Sequence, residues 1–188
     1  MGEYYHTEQS VKEYIQMAKD VNSENLIRLF ENVLKKGDAV LEIGSGPGTD
    51  WSILNVSFKT IGSDFSKEFL HHLKEKFPEG EFLELDAITL KTAINFDGIY
   101  ANKVLQHLTD KEIEMSVERQ AVLLNDGGVV CHSYWYGEGD ENFKGMYVNY
   151  QDEKRLLEIY TPYFEVLKLE KYKEFDKDDS IVIIGRKK

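Results

Sequence analysis

Apolar residues recur along the chain at two spacings, and their alternation predicts the order of elements. Val11, Tyr14, Ile15 and Ala18 fall at helical spacing within residues 7–20. A second helix carries Leu26, Phe30, Val33 and Leu34 on one face, with Asn22 or Ser23 able to cap it and Gly37 in KKGD (35–38) as its stop. AVLEI (39–43) then reads as a short apolar strand, and TDWSILN as a short helix. KTIGSD (59–64) is a strand. Ser66 caps a helix bearing Phe69, Leu70, Leu73 and Phe77, which PEG (78–80) ends. EFLEL (81–85) and FDGIYA (96–101) are further strands. Thr109 and Glu112 have the spacing of a capping box, ahead of a helix with Ile113, Val117, Ala121 and Leu124. NDGG (125–128) breaks that helix, and VVCHSYW (129–135) is a fifth strand.

Beyond residue 135 the pattern changes. A glycine-rich, aromatic loop (136–150) leads to the helix DEKRLLEIY, and FEVLKLEKY and SIVIIG flank KDD (177–179) as an antiparallel hairpin. Alternating strands and helices followed by a hairpin predict an α/β fold, a mostly parallel sheet with helices on both faces. One domain covers 1–188: a helical cap in 1–36, a core in 38–135, and a loop, helix and hairpin in 136–188.

Composition narrows the class. Hydrophobic residues at 41% and charged residues at 30% fit a soluble globular chain, and no apolar run reaches the length of a membrane span. The polar start MGEYYHTEQS predicts no signal peptide. The single cysteine, Cys131, rules out an intrachain disulfide and suits the reducing cytoplasm. A net charge of −11 argues against a nucleic-acid partner or an anionic membrane, and is compatible with a neutral or cationic small ligand. No group of residues has metal-ligand spacing.

VLEIGSGPGTD (40–50) carries the chemistry. Glycine stands at every second position from Gly44 to Gly48, where a strand turns into a helix, so that a ligand can lie against bare backbone. The spacing G-x-G-x-G, with Thr49 following, departs from the G-x-G-x-x-G of nicotinamide folds. Glu42 beside the loop would repel a pyrophosphate and attract an ammonium or sulfonium. Asp64 ends the second strand, where a carboxylate can take ribose hydroxyls, and Asp86 follows the third, placed for an adenine amino group.

On these residues the chain resembles the class I S-adenosylmethionine-dependent methyltransferases. LEIGSGPG matches their first motif, GSDFS (62–66) the second-strand motif, LELDA (83–87) the adenine-side acid, FDGIYANKVLQHL (96–108) the fourth-strand motif and LLNDGGVV (123–130) the fifth. The resemblance implies a Rossmann-like, doubly wound, seven-stranded sheet with the last strand antiparallel. It implies S-adenosylmethionine as cofactor, its methionine part lined by Gly44, Ser45, Gly46 and Gly48 with Glu42 behind them. Asp64 would hold the ribose with Phe65 beside the adenine, Ser66 would belong to the cofactor-binding set, Asp86 and Ala87 would contact the adenine, and Asn102 would sit at the amino-acid end. Tyr4 and Tyr5 stand where relatives fold a lid across the cofactor.

His107 and His132 lie near strand ends, each either a general base or a hydrogen-bonded structural histidine. Tyr134 is a further catalytic candidate. Cys131 and His132 face opposite sides of their strand, so only one of them can point at a given pocket. Trp135, Tyr136, Tyr147 and Tyr150 are candidates for acceptor contact or cation–π support of a sulfonium, against core packing as the plainer account. The reaction implied is methyl transfer by in-line displacement to a small-molecule acceptor, in a monomer or homodimer. Methylation of a protein side chain, cofactor binding without catalysis, and an NAD-dependent oxidoreductase are the alternatives.

Overall fold

The apolar run at 39–43 forms the central strand of the sheet. In the computed structural model residues 11, 13, 15, 16, 23–143 and 145–188 are described. The elements run α1 (Glu24–Glu31), β1 (Ala39–Ile43), α2 (Thr49–Ser57), β2 (Lys59–Asp64), α3 (Lys67–Lys76), β3 (Glu81–Glu84) and β4 (Phe96–Asn102). A 3-10 turn (Leu105–His107) follows, then α4 (Asp110–Leu123), β5 (Leu124–Trp135), β6 (Asp140–Phe143), β7 (Met146–Asn149), α5 (Glu153–Tyr160), β8 (Phe164–Tyr172) and β9 (Ser180–Lys187). Seven strands pair in the order β3-β2-β1-β4-β5-β9-β8, and β9 runs antiparallel to both its neighbours. The sheet is therefore mostly parallel, with the last strand reversed, as the pattern predicts.

Period-two alternation sorts β1 onto two cores. Leu41 and Ile43 pack with Ile113 and Val117 of α4 and Leu156 and Ile159 of α5. Val40 packs on the other face with Ile27 and Phe30 of α1 and Leu54 of α2. Glu42 shares the parity of Val40, so it is drawn under α2 rather than out to solvent. The expected caps form: Ser66 Oγ accepts from the Phe69 N–H at 3.3 Å, and Glu112 accepts from the Thr109 N–H at 2.8 Å.

Two segments differ from expectation. Within 136–150, where a loop is expected, β6 and β7 pair antiparallel, with Phe143 opposite Met146. The carboxylates of Asp140 and Glu141 take the hydroxyls of Tyr147 and Tyr150, which explains acid–aromatic pairing in a stretch that carries Gly137, Gly139 and Gly145. β5 also starts earlier, at Leu124, passing through the NDGG stretch with a register shift against β4 between Phe96 and Gly98. Of residues 7–20, only Val11, Glu13, Ile15 and Gln16 are described, all helical; Tyr4 and Tyr5 lie outside the described residues.

Candidate functional site

Strand order reverses on either side of β1, whose neighbours β2 and β4 lead outward in opposite directions. Crevices open at such a point beyond the carboxyl ends of the strands. A cavity lies there, walled by Glu42, Gly44, Ser45 and Gly46 at the end of β1, by Asp64 and Phe65 at the end of β2, by Leu85 and Ala87 after β3, and by Asn102 to Val104 at the end of β4. Asp50 of α2 and His107 complete its polar lining.

All three loop glycines adopt positive φ: Gly44 at 69°, Gly46 at 46° and Gly48 at 76°. Their reasons differ. A Cβ on Gly48 would stand 2.6 Å from Leu73 Cδ2 and 2.7 Å from Phe77 Cε2, so this glycine lets the loop close onto α3. Gly48 does not line the cavity, which corrects the expectation that it makes room for a ligand. A Cβ on Gly44 would stand 2.5 Å from Val104 Cγ2, so that position serves contact between the β1 and β4 turns. Gly46 turns backbone to the cavity and donates its N–H to Asp64 Oδ2 at 3.0 Å. Asp64 Oδ1 accepts the Ser66 N–H at 2.9 Å, so one carboxylate ties both loops.

Three carboxyls converge on this cavity, Glu42 buried and Asp50 and Asp64 half-buried. Glu42 is 3% exposed, and its Oε2 has no hydrogen-bond partner. Burial raises its pKa well above the usual range, and the neighbouring Asp50 charge adds to the rise. Burial likewise raises Asp50, despite hydrogen bonds from Asn102 and Tyr100. Burial raises Asp64 against its backbone donors. An unpartnered buried acceptor beside two further acids suits a ligand that brings positive charge or N–H donors. Asp50 is a site residue that the sequence reading lacks. At the first turn of α2 it resembles an ordinary helix-start acid, and only the fold sets it 3.0 Å from both Tyr100 Oη and Asn102 Nδ2.

The other expected residues divide. Phe65 lines the cavity and is 40% exposed. Ser66 is buried as the cap of α3 and lies off the wall. Asp86 also lies off the wall, its Oδ1 accepting the N–H groups of Ile88 at 3.0 Å and Thr89 at 2.8 Å; Leu85 and Ala87 on either side do face the cavity. His107 lines the wall. Its Nδ1–H donates to the Tyr147 carbonyl oxygen at 2.7 Å, and burial holds its pKa below the ordinary value.

His132 and Tyr134 are corrections. Both are 0% exposed and pack toward α5, away from the cavity. Tyr160 Oη joins His132 Nδ1 at 2.5 Å and Tyr134 Oη at 2.6 Å. Burial drives the His132 pKa down to about 3 and pushes the Tyr134 phenol up. These groups hold a buried polar knot rather than catalytic protons. Tyr160→Phe removes the shared hydroxyl and strands a ring nitrogen. Stability should fall by about 1–3 kcal/mol in a denaturant melt, with S-adenosylhomocysteine affinity unchanged. A loss of affinity would return His132 to the site.

The aromatics assigned to acceptor contact also leave the cavity wall. The Trp135 ring lies under the Lys103 ammonium, 3.6 Å from its centroid, and against Phe175. Tyr136 lies under the Lys171 ammonium at 4.5 Å. Tyr147 and Tyr150 staple the β6–β7 hairpin, and Tyr147 reaches the cavity only through its carbonyl on His107.

Comparison with known proteins agrees with this geometry. Residues 40–128 match a family model described as a methyltransferase domain. An uncharacterized methyltransferase of Bacillus cytotoxicus is 30% identical over 135 residues, 68% of this chain and 62% of the relative. The chain thus spans less than two thirds of the curated relatives it matches. Among solved structures, the 1,6-didemethyltoxoflavin-N1-methyltransferase of Burkholderia thailandensis, with bound 1,6-didemethyltoxoflavin and S-adenosylhomocysteine, superposes with a TM-score of 0.80 at 17% identity, over 95% of this chain and 84% of that one. The N-methyltransferase NodS of Bradyrhizobium japonicum in complex with S-adenosylhomocysteine gives 0.77 at 16% identity, over 95% and 97%. A TehB-like methyltransferase of Corynebacterium glutamicum gives 0.78 at 18%, over 97% and 100%.

Proposed function

We propose that this chain, whose residues 40–128 match a methyltransferase domain, is a class I methyltransferase that binds S-adenosylmethionine at the carboxyl ends of β1, β2 and β4 and transfers its methyl group to a small-molecule acceptor by in-line displacement. The observation that carries the reading is the unpartnered, buried Oε2 of Glu42, set among Asp50 and Asp64 in the glycine-loop cavity.

The residues present fit the cofactor. Glu42 and Asp50 favour its positive charges, Gly44 and Gly46 give backbone access, Asp64 serves the ribose, and Phe65 with Ala87 offers apolar contact for the adenine. The bound cofactor supplies an electrophilic methyl group on a sulfonium. The chain's own work is positioning and exclusion of water, which can supply much of the rate. His107 stands at the wall and is the base candidate that remains on the cavity. Residues 38–135 hold the donor, and 136–188 frame the acceptor side of the same domain. The 1,6-didemethyltoxoflavin bound to one N-methyltransferase neighbour is consistent with a small acceptor. The acidic net charge disfavours nucleic acid, and a lone buried thiol suits the cytoplasm.

Calorimetry tests the reading. S-adenosylmethionine and S-adenosylhomocysteine should bind and NAD should not. The raised carboxyl pKa values fix the pH response. Burial shifts these acids toward the protonated form in the folded chain, so their contribution to stability is present below the ordinary carboxylate range and is lost as pH rises through the raised values. A cationic ligand requires the ionised acids, so its affinity should fall as pH is lowered through the same range. The thermal shift given by S-adenosylmethionine should therefore grow from pH 5 to pH 8. NAD binding, or a shift that shrinks with rising pH, would refute the proposal.

A further inference from the structure

A second cavity, of about 590 Å³, adjoins the first and shares Ser23 and Asn102 with it. That volume is in the range of small-molecule sites. It lies between α1 and the β8–β9 turn. Leu26, Leu29, Val182 and the Tyr172 ring give it an apolar body, and Phe175, 61% exposed, stands at its edge. Arg28 and Glu170 are well exposed and already paired, with Glu24 and Lys168, so they mark the rim.

The deep end is set by a buried ion pair. Lys103 lines the first cavity, Glu174 lines the second, and their side chains are 11% and 15% exposed with Nζ 3.0 Å from Oε2. Donors there are all committed. The three Lys103 N–H groups go to Glu174 Oε2, the Tyr134 carbonyl at 3.0 Å and Ser180 Oγ at 2.6 Å. Both Asn102 N–H groups go to Ser23 Oγ at 2.8 Å and Asp50 Oδ2 at 3.0 Å. Ser23 bonds Asp50 in turn, and the Tyr172 hydroxyl donates to Glu174 Oε2 at 3.4 Å. The ion pair and the side-chain hydrogen bonds of Glu174 fall on Oε2, and Oε1 carries none of them. The deep end, with its donors spent and a carboxylate oxygen to offer, selects a ligand that donates, while the exposed Asn25 and Lys173 join Arg28 and Glu170 at the rim.

We infer that this second cavity is the acceptor site, and that it takes a small amine with an apolar body, its N–H end on Glu174 Oε1 and its body between α1 and Tyr172. The inference rests on the methyltransferase reading above, because the shared Ser23–Asn102 edge is where the two ligands would meet. The carboxylate and the Tyr172 and Phe175 rings both favour an ammonium or amine over an anion.

Benzylamine and benzoate, alike in ring and size, are the probes, followed by ligand-observed NMR with the full chain saturated in S-adenosylhomocysteine. Benzylamine should bind, with benzoate at least about tenfold weaker. Asn25→Trp places a large side chain at the cavity from an exposed helix position, and Glu174→Gln removes the charge; each should weaken benzylamine about tenfold or more while S-adenosylhomocysteine affinity stays within about twofold. Benzoate binding as well as benzylamine, neither probe binding, or benzylamine indifferent to Asn25→Trp would overturn the acceptor site while leaving the donor site standing. Failure of S-adenosylhomocysteine to bind the unaltered chain would overturn the methyltransferase reading itself, and this inference with it.

Discussion

Gly46→Val should abolish measurable S-adenosylhomocysteine binding, a loss of at least about a hundredfold, while most of the fold survives. Gly46 has φ 46° and its backbone forms the cavity wall. A β-branched residue there is strained and places two methyl groups beside the space a ligand would use. The strain falls on a loop whose flanking elements are held independently, β1 by β2 and β4, and α2 by Trp51 and Leu54 in the core. Circular dichroism should therefore stay close to that of the parent chain. Gly46→Ala, with less bulk, should give an intermediate loss. Gly48→Ala is the control: its Cβ meets Leu73 and Phe77, so it should lower stability more than affinity. Normal binding by Gly46→Val would mean that no ligand lies against this loop.

Asp64→Ala should weaken S-adenosylhomocysteine at least about tenfold. Charge-assisted hydrogen bonds contribute roughly 1.5–3 kcal/mol each, and a ribose contact would lose one or two. The carboxylate also accepts from the Gly46 and Ser66 N–H groups, so its removal loosens both loops whether or not ribose is held. The 2′-deoxy analogue of S-adenosylhomocysteine separates the two roles. If Asp64 holds the ribose, removing that hydroxyl should cost the parent chain about tenfold and Asp64→Ala almost nothing. Equal costs in both proteins would leave Asp64 as a loop tie only.

Much of the fold was legible because short-range physics decides it. β2 spans Lys59–Asp64, the segment read as KTIGSD, and β8 spans Phe164–Tyr172, the segment read as FEVLKLEKY. Strand periodicity, Ser66 as a cap and the Thr109–Glu112 box are local properties of neighbouring residues. The 136–150 stretch misled because its glycines and aromatics resemble a flexible loop, whereas pairing of Asp140 with Tyr147 and Glu141 with Tyr150 needs the two halves to fold against each other.

The site divides along the same line. The sequence alone determined the glycine turn, the acid before it and the acid that ends β2, since each is set by its place at a strand end. Only the tertiary structure decided which side chains reach the cavity. His132 follows Cys131 on β5, and strand parity allows either face; packing against Tyr160 of α5 buries it away from the site. Asp50 and Lys103 carry no signal in isolation, one a helix-start acid and the other a residue after a strand. They gain meaning from Asn102, 52 residues beyond Asp50, and from Glu174 in the β8–β9 turn. Hydrogen bonds and ion pairs between distant segments depend on the closing of the sheet, and no local pattern encodes which donors will be spent when it closes.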